Sequence, residues 1–330
     1  MESYSALVIR ESEGKFSRQV ENVPFSFLPE GEVLVRVAYA GLNYKDALSA
    51  RGNKGVSKHY PHTPGVDAAG TVEQSGNLAF APGDQVIVTS YDLGMNTKGG
   101  FAEYISVPAS WVVPLPSGLN LREAMALGTA GFTAALALQK LELNGQKPEN
   151  GEVLVSGASG GVGTMAVAIL KKAGYRVIAS SGKQEQYAWL TQIGAKRCIN
   201  RSELSDTGDK PLLAGRWAGA IDTVGGQTLA GILKATQRNG NVAVCGLVGS
   251  SSLHTTVFPF ILNGVNLLGV DSAEAAMKNR MDVWEKLSKD WKPEHIDRLH
   301  HVVGLEEIPH YIDEIFAGET VGRIVADLKA

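Results

Sequence analysis

The stretch Glu152-Val-Leu-Val-Ser-Gly-Ala-Ser-Gly-Gly-Val-Gly-Thr164 decides how the rest of the chain is read. Its apolar start, Val153–Val155, reads as a short buried parallel strand. Glycines follow at 157, 160, 161 and 163, and from Val162 apolar residues recur at helical spacing through Met165, Ala166, Ile169, Leu170 and Ala173. Gly174 then stands where it can cap the helix C-terminus. Strand, glycine turn and helix start together make a phosphate site, because glycines let the backbone approach a pyrophosphate and the helix N-terminus offers free N–H donors. The spacing is G-x-x-G-G-x-G rather than G-x-G-x-x-G, so the turn alone is a weak sign that fits any tight turn. Tyr175–Ala179 reads as a second strand, which completes a βαβ unit of about thirty residues.

The end of that second strand selects between the nicotinamide dinucleotides. An acid there would bind the adenosine ribose of NAD and repel a 2′-phosphate. This chain has Ser180-Ser181-Gly182-Lys183 and no acid before Glu185. Two hydroxyls and an ammonium suit a phosphate, so the cofactor expected is NADP(H). The plainer alternative makes Lys183 an ordinary solvated residue at a helix start. Ser159, Gly160, Gly161 and Val162 are expected to line the pyrophosphate. Ser181, Gly182, Lys183 and Arg201, the last just after the Cys198-Ile199 strand, are expected around the 2′-phosphate. Leu247 and Ile261 are read as following strand ends on the ligand side of the sheet, where their backbones could meet the nicotinamide. Ser272 and Arg323 are further cofactor candidates.

Beyond this unit the alternation continues, with strands expected near 197–199, 218–222, 241–245 and 265–270 and helices near 162–173, 184–193 and 226–237. That pattern is a doubly wound parallel sheet. Residues 1 to about 122 read differently. Leu7–Ile9, Val33–Ala38, Ala68–Val72, Gln85–Thr89 and Ala102–Val107 are short β-prone runs separated by Gly and Pro signals, as in a barrel-like antiparallel domain. Leu121–Lys140 looks helical with an interruption near Gly128-Thr-Ala-Gly131, and Met277–Leu287 and Ile308–Phe316 look helical too. The last strand, Gly322–Leu328, has no partner in the βαβ run and makes sense returning to the N-terminal domain. The domains expected are 1–122 plus 300–330 and, inserted between them, 123–299.

At 330 residues, 44% of them hydrophobic and 20% charged, the chain is a globular protein of about two domains. A formal net charge of −3 without a long basic run gives nucleic-acid binding no support. Two cysteines, Cys198 and Cys245, exclude a disulfide framework and point to the cytoplasm. The N-terminus lacks the basic and apolar regions of a signal peptide, and no apolar run reaches transmembrane length, so no membrane association is expected.

The motifs now add up to a family pattern. Ala40-Gly-Leu-Asn-Tyr-Lys-Asp46, Pro61-His-Thr-Pro-Gly-Val-Asp-Ala-Ala-Gly70, Pro82-Gly-Asp84, Gly128-Thr-Ala-Gly-Phe-Thr-Ala134, the turn at 157–163, Asp222-Thr-Val-Gly-Gly226 and Gly322-Arg-Ile-Val325 occur in family order along essentially the whole chain. The chain resembles the zinc-independent medium-chain dehydrogenases/reductases of the quinone oxidoreductase type. Thr89–Gly94, Phe258–Gly264 and Leu268–Ser272 are similar to the branch around acryloyl-CoA reductase. The resemblance implies a GroES-like β-barrel catalytic domain, a Rossmann domain, an active site in the cleft between them, NADPH as cofactor and a homodimer. It also implies that the last strand of the cofactor sheet, near Val265–Val270, pairs with its copy across the dimer.

Zinc-dependent relatives carry a Cys where this chain has Asn43 and a His-Glu pair where it has Val66-Asp67, and residues 90–110 hold no cysteine. His59 and His62 are three apart, but Tyr60, Pro61 and Pro64 break any helix there. No metal site is expected. Without a Lewis acid to ionise an alcohol, the fitting reaction is hydride addition to the β-carbon of an α,β-unsaturated carbonyl, with donors aimed at the enolate oxygen. A small-molecule enoyl-CoA such as acryloyl-CoA is the leading substrate, a quinone is the alternative, and a non-catalytic NADPH-binding protein is the reading from another class. Asn43, Tyr44 and Asp67 are the catalytic candidates, Tyr44 also against the cofactor. The alternatives remain that Asn43 and Tyr44 only fix the loop after Val33–Ala38, that Asp67 orients the nicotinamide or Lys45 or is structural, and that Lys45 and Asp46 pair with each other. Cys245 reads as a small buried strand residue, not a nucleophile.

Overall fold

The computed structural model describes residues 2–205, 208 and 210–329. The chain divides into two compact units, each built around its own sheet. The first holds the residues up to Thr129, Ala273–Trp284 and the chain from Ile296 on; the second holds Ala130–Ser272 and Glu285–His295.

The first unit begins with an antiparallel ribbon, β1 (Ser3–Ser12) and β2 (Lys15–Pro24), joined by Glu13 and Gly14, both at positive φ. A two-residue turn with both residues left-handed matches the twist of the flanking strands. The sheet of this unit is built on β3 (Val33–Gly41), β4 (Asp67–Ser75), β5 (Gln85–Thr89), β6 (Tyr104–Val107) and β7 (Val112–Pro114). Alternate residues of these strands, among them Val33, Val35, Val37, Val86, Val88 and Ile105, close one core. A seven-residue helix, α1 (Tyr44–Ala50), follows β3. The next helix, α2 (Leu121–Leu143), breaks from helical geometry at Gly128 (φ 49°, ψ −155°), within the interruption expected there.

The second unit is a six-stranded parallel sheet of β8 (Glu152–Val155), β9 (Arg176–Ser181), β10 (Ala195–Asn200), β11 (Trp217–Asp222), β12 (Thr236–Val244) and β13 (Asn266–Gly269). Its order, β10-β9-β8-β11-β12-β13, reverses between β8 and β11, and ligands of open α/β sheets sit outside the strand ends at such a reversal. The helices are α3 (Gly161–Lys172), α4 (Tyr187–Gln192), α5 (Gly226–Lys234) and α6 (Phe258–Asn263). The C-terminus of α3 is a Schellman motif: Gly174, at φ 86°, donates its N–H to Lys171 and Tyr175 donates to Leu170. The helix expected over 226–237 is shorter, since Thr236 already begins β12.

After α7 (Met277–Ser288) the chain makes β14 (His300–Gly304), α8 (Ile308–Ala317) and β15 (Arg323–Asp327). β15 pairs antiparallel with β3, the return to the N-terminal sheet expected of Gly322–Leu328, and parallel with β14. His300 is therefore a half-buried strand residue; its Nδ1 lies 3.0 Å from the Ile296 carbonyl. No helix among the described residues is long and apolar enough to cross a membrane.

Gly163 sets how closely α3 approaches β8. A Cβ there would run into the Gly157 carbonyl oxygen and stand 2.7 Å from the Ala158 Cα, backbone that cannot yield. Gly163→Ala should lower the unfolding free energy by about 1–3 kcal/mol, the usual cost of overpacking; denaturant unfolding followed by circular dichroism measures it.

Candidate active site

In the first unit the candidate residues converge on one buried ion pair. Asp67, the first residue of β4, and Arg323, the first of β15, are both essentially inaccessible, with Nη2 of the arginine 3.2 Å from Oδ2 of the aspartate. Asp67 Oδ2 also accepts from the Asn43 amide at 2.8 Å and the Thr129 N–H at 2.8 Å, and Oδ1 accepts from the Thr129 hydroxyl at 2.5 Å. That hydroxyl is spent as a donor, so Ser90, 2.9 Å away, donates to it. Arg323 also donates to the carbonyls of Leu42 and Ala126 and to Asn43 Oδ1 at 3.0 Å. Burial lowers the pKa of Arg323 on balance, and the charges of Asp67 and Asp46 offset part of that. Two glycines make room for the pair. A Cβ at Gly41 would stand 2.7 Å from Arg323 Nη2, and one at Gly128 would meet Arg323 and the Asp67 carboxylate.

Both side-chain N–H groups of Asn43 are thereby committed. Its amide donates to Asp67 and to the Gly41 carbonyl at 3.1 Å, and its oxygen accepts from Arg323. Arg323, expected near the cofactor, instead has its guanidinium spent inside the unit. Asp67 serves Asn43, Thr129 and Arg323, and no contact joins it to Lys45. Nor does Asp46 pair with Lys45. Asp46 turns inward and accepts from the N–H groups of Asn43, Gly65 and Val66 at 2.8–3.0 Å. Burial, with a smaller push from the Asp67 charge, raises its carboxyl to about 7 against the pull of those N–H groups. Tyr44 is half-buried at the start of α1, its ring parallel to Phe316 of α8 with centroids 6.1 Å apart.

The second unit carries the expected phosphate turn. Gly157 takes φ 57°, Gly160 is the N-cap of α3 without any side-chain cap, and Gly161 and Val162 are the first helical residues. The first N–H groups of α3 are therefore not covered by a capping side chain, as a pyrophosphate requires. Ser159 and Ser181 hydroxyls lie 2.9 Å apart, and Ser181 accepts the Lys183 N–H at 3.0 Å. Arg201 lies directly over Gly182, where a Cβ would stand 2.6 Å from its Nε. The structure thus brings Ser159, Ser181, Gly182, Lys183 and Arg201 to one corner beyond β9. At the end of β9, Ser180 keeps a buried hydroxyl that makes no hydrogen bond among the described residues.

The remaining candidates lie elsewhere in the unit. Leu247 follows β12, but Ile261 is on helix α6 rather than after a strand, and both are well exposed. Ser272 accepts the Thr133 hydroxyl at 2.7 Å. Cys245 lies just after β12 with its thiol pushed up to about 12 by burial and the Asp222 charge, which leaves it protonated. Two further members of the Asp67 cluster had no sequence signal of their own. Thr129 and Ser90 are ordinary hydroxyl residues until the fold brings them to Asp67.

Two family profiles match, one for the alcohol dehydrogenase GroES-like domain over residues 29–117 and one described as zinc-binding dehydrogenase over 161–288. The residues here do not fit a zinc ion. Arg323 occupies the cationic place beside Asp67, Asn43 is bonded to Gly41, Asp67 and Arg323, and His62 Nε2 lies 2.9 Å from the Gly94 carbonyl. Among the described residues no three His, Cys, Asp or Glu gather as a ligand set. The acrylyl-CoA reductase AcuI of Ruegeria pomeroyi is 42% identical over 99% of this chain and 100% of its own. The crystal structure of Bacillus subtilis yhfP with NAD bound superposes with a TM-score of 0.96, 45% identity and coverage of 99% and 100%. The yhdH oxidoreductase from Salmonella enterica in complex with NADP superposes with a TM-score of 0.95, 42% identity and coverage of 98% and 99%.

Asp46 makes the site's electrostatics testable. Its folded carboxyl lies near 7 against an ordinary 3.8, so the folded protein binds the extra proton. The stability this contributes is complete below about pH 4 and lost as pH rises to about 7. Asp46→Asn should remove that slope, as read from denaturant unfolding across the same pH range. Fold, site motifs and full-length likeness together place the chain in the quinone oxidoreductase family of medium-chain dehydrogenases/reductases.

Proposed function

We propose that this protein is an NADPH-dependent reductase of activated C=C bonds, with an enoyl thioester such as acryloyl-CoA as its substrate. The observation that carries the reading is the corner beyond β9, where Arg201 lies over Gly182 beside Lys183 and Ser181 and no acid stands in the turn. That arrangement suits the 2′-phosphate that distinguishes NADPH from NADH. The α3 N-terminus with Ser159, Gly160, Gly161 and Val162 holds the pyrophosphate. Bound there, NADPH supplies the hydride. The chain supplies position and hydrogen bonds, since the hydrogen-bonded Asn43–Asp67–Arg323 cluster holds its groups rigid and offers no place to a Lewis acid.

A quinone is the second acceptor, because its carbonyl develops the same negative charge on reduction. In the cell the protein works in the cytoplasm as a homodimer. The edge strand β13 and the exposed Leu247, Val248, Val257, Phe258, Ile261 and Leu262 supply an apolar surface for a second copy.

A panel assay following NADPH absorbance tests the activity. Oxidation with acryloyl-CoA and not with quinones supports the main reading, and no turnover with any acceptor despite tight NADPH binding overturns it. Lys183→Glu should weaken NADPH by about 100-fold or more, at about 1.4 kcal/mol per tenfold, and leave NADH within a few-fold. Equal losses, measured by fluorescence titration, would contradict the 2′-phosphate assignment.

A further inference from the structure

The phosphate turn and the corner beyond β9 use one end of the parallel sheet. The opposite ends of β9 and β10 carry a second concentration of positive charge. There a cavity of about 380 Å³ opens among the end of α3, the end of α4 and the first residues of the two strands. Lys171, Arg176 and Lys196 bring its charge, and the buried Val177 and Ala195 bring an apolar floor. No carboxylate lines it among the described residues. Arg176 opens β9 and Ser181 closes it. At about 3.3 Å per residue the two ends stand about 16 Å apart, so the cavity is not part of the cofactor corner.

The fold leaves these cations little other work. The field of a helix C-terminus favours a cation at Lys171. Its closing carbonyls need none, because Ile169, Leu170 and Lys171 already accept from the N–H groups of Ala173, Tyr175 and Gly174. The end of α4 is closed likewise, with Trp189 and Thr191 accepting from Ile193 and Gly194. Arg176 and Lys196 stand on strands, where no helix end calls for them. Glu152 of β8 faces Arg176 in register, but it holds Arg197 at 3.0 Å and Lys196 at 3.7 Å. Glu294 is taken by Lys172 at 3.5 Å. Lys171 and Arg176 make no ion pair among the described residues. Like charges gathered in this way repel one another unless an anion lies among them. Gly194, at φ 131°, shapes the wall: a Cβ there would stand 2.5 Å from the Lys171 Cβ and 2.7 Å from its Cγ.

We propose that this cavity binds a small phosphorylated molecule, with Lys171, Arg176 and Lys196 on the phosphate oxygens and Val177 and Ala195 beneath its carbon part. The guanidinium offers a planar pair of donors to a phosphate, and each ammonium adds a point charge. The volume falls within the range of small-molecule pockets, about 300–1,000 Å³.

Calorimetric titration of the full-length protein, saturated with NADPH so that the cofactor's own phosphate sites are filled, tests this with two probes, inorganic pyrophosphate and ADP. At least one probe should bind saturably, at one per chain, and more weakly as salt rises. Tighter binding of ADP makes the ligand a nucleotide, and binding of pyrophosphate alone makes it a compact polyphosphate. Lys171→Glu combined with Arg176→Glu should weaken that binding by about tenfold or more, with NADPH affinity within about twofold of the parent. The same charge change made in the other unit, Lys15→Glu with Lys58→Glu, should leave it within about twofold. No saturable binding of either probe up to about 10 mM overturns the proposal. So does binding that the cavity variant leaves unchanged, or that both double variants weaken alike, which marks a response to net charge alone.

Discussion

The buried ion pair between Asp67 and Arg323 is the constraint around which the first unit is arranged. It ties the first residue of β4 to the first residue of β15, which also pairs antiparallel with β3. Each charge is costly to bury alone and tolerable only with its remaining lone pairs and protons satisfied. Asn43, Thr129 and the carbonyls of Leu42 and Ala126 satisfy them. The pair also dictates residues that never touch a ligand. Gly41 and Gly128 have no side chain because the pair fills that space, and the break in α2 falls at Gly128 for the same reason.

That geometry divides the residues Asn43, Tyr44, Lys45 and Asp46 into two kinds. Asn43 and Asp46 face inward and anchor the loop; Tyr44 and Lys45 stay half-exposed on the first turn. Sequence reasoning could name all four but could not sort them, since the sorting depends on Arg323, 280 residues further along the chain. The same distance hid the roles of Thr129 and Ser90. By contrast, the parallel sheet was legible from local signals, because strand, turn and helix of each βαβ unit lie within thirty residues. Gly157, Gly163 and Gly174 each sit where local backbone geometry or close packing demands glycine.

Misreadings have equally local causes. β2 was not expected because Lys15–Pro24 is an exposed ribbon strand, mostly polar, and carries little apolar alternation. β7 is three residues long, too short for any pattern. Ile261, expected after a strand end, lies on α6, since a short apolar run such as Phe258–Leu262 does not distinguish strand from helix. Arg323 is a cofactor candidate in the sequence; its burial and its bonds to Asp67, Asn43, Leu42 and Ala126 emerge only in the fold.

The central claim is that Asp67 and Arg323 act as one structural unit. A double-mutant cycle of Asp67→Ala and Arg323→Ala, read by denaturant unfolding, tests it most directly. Each single variant leaves an unpaired buried charge and should lose about 3–5 kcal/mol, while the double variant should lose clearly less than the two together. Strictly additive losses would show that the two residues do not depend on each other and would contradict the account.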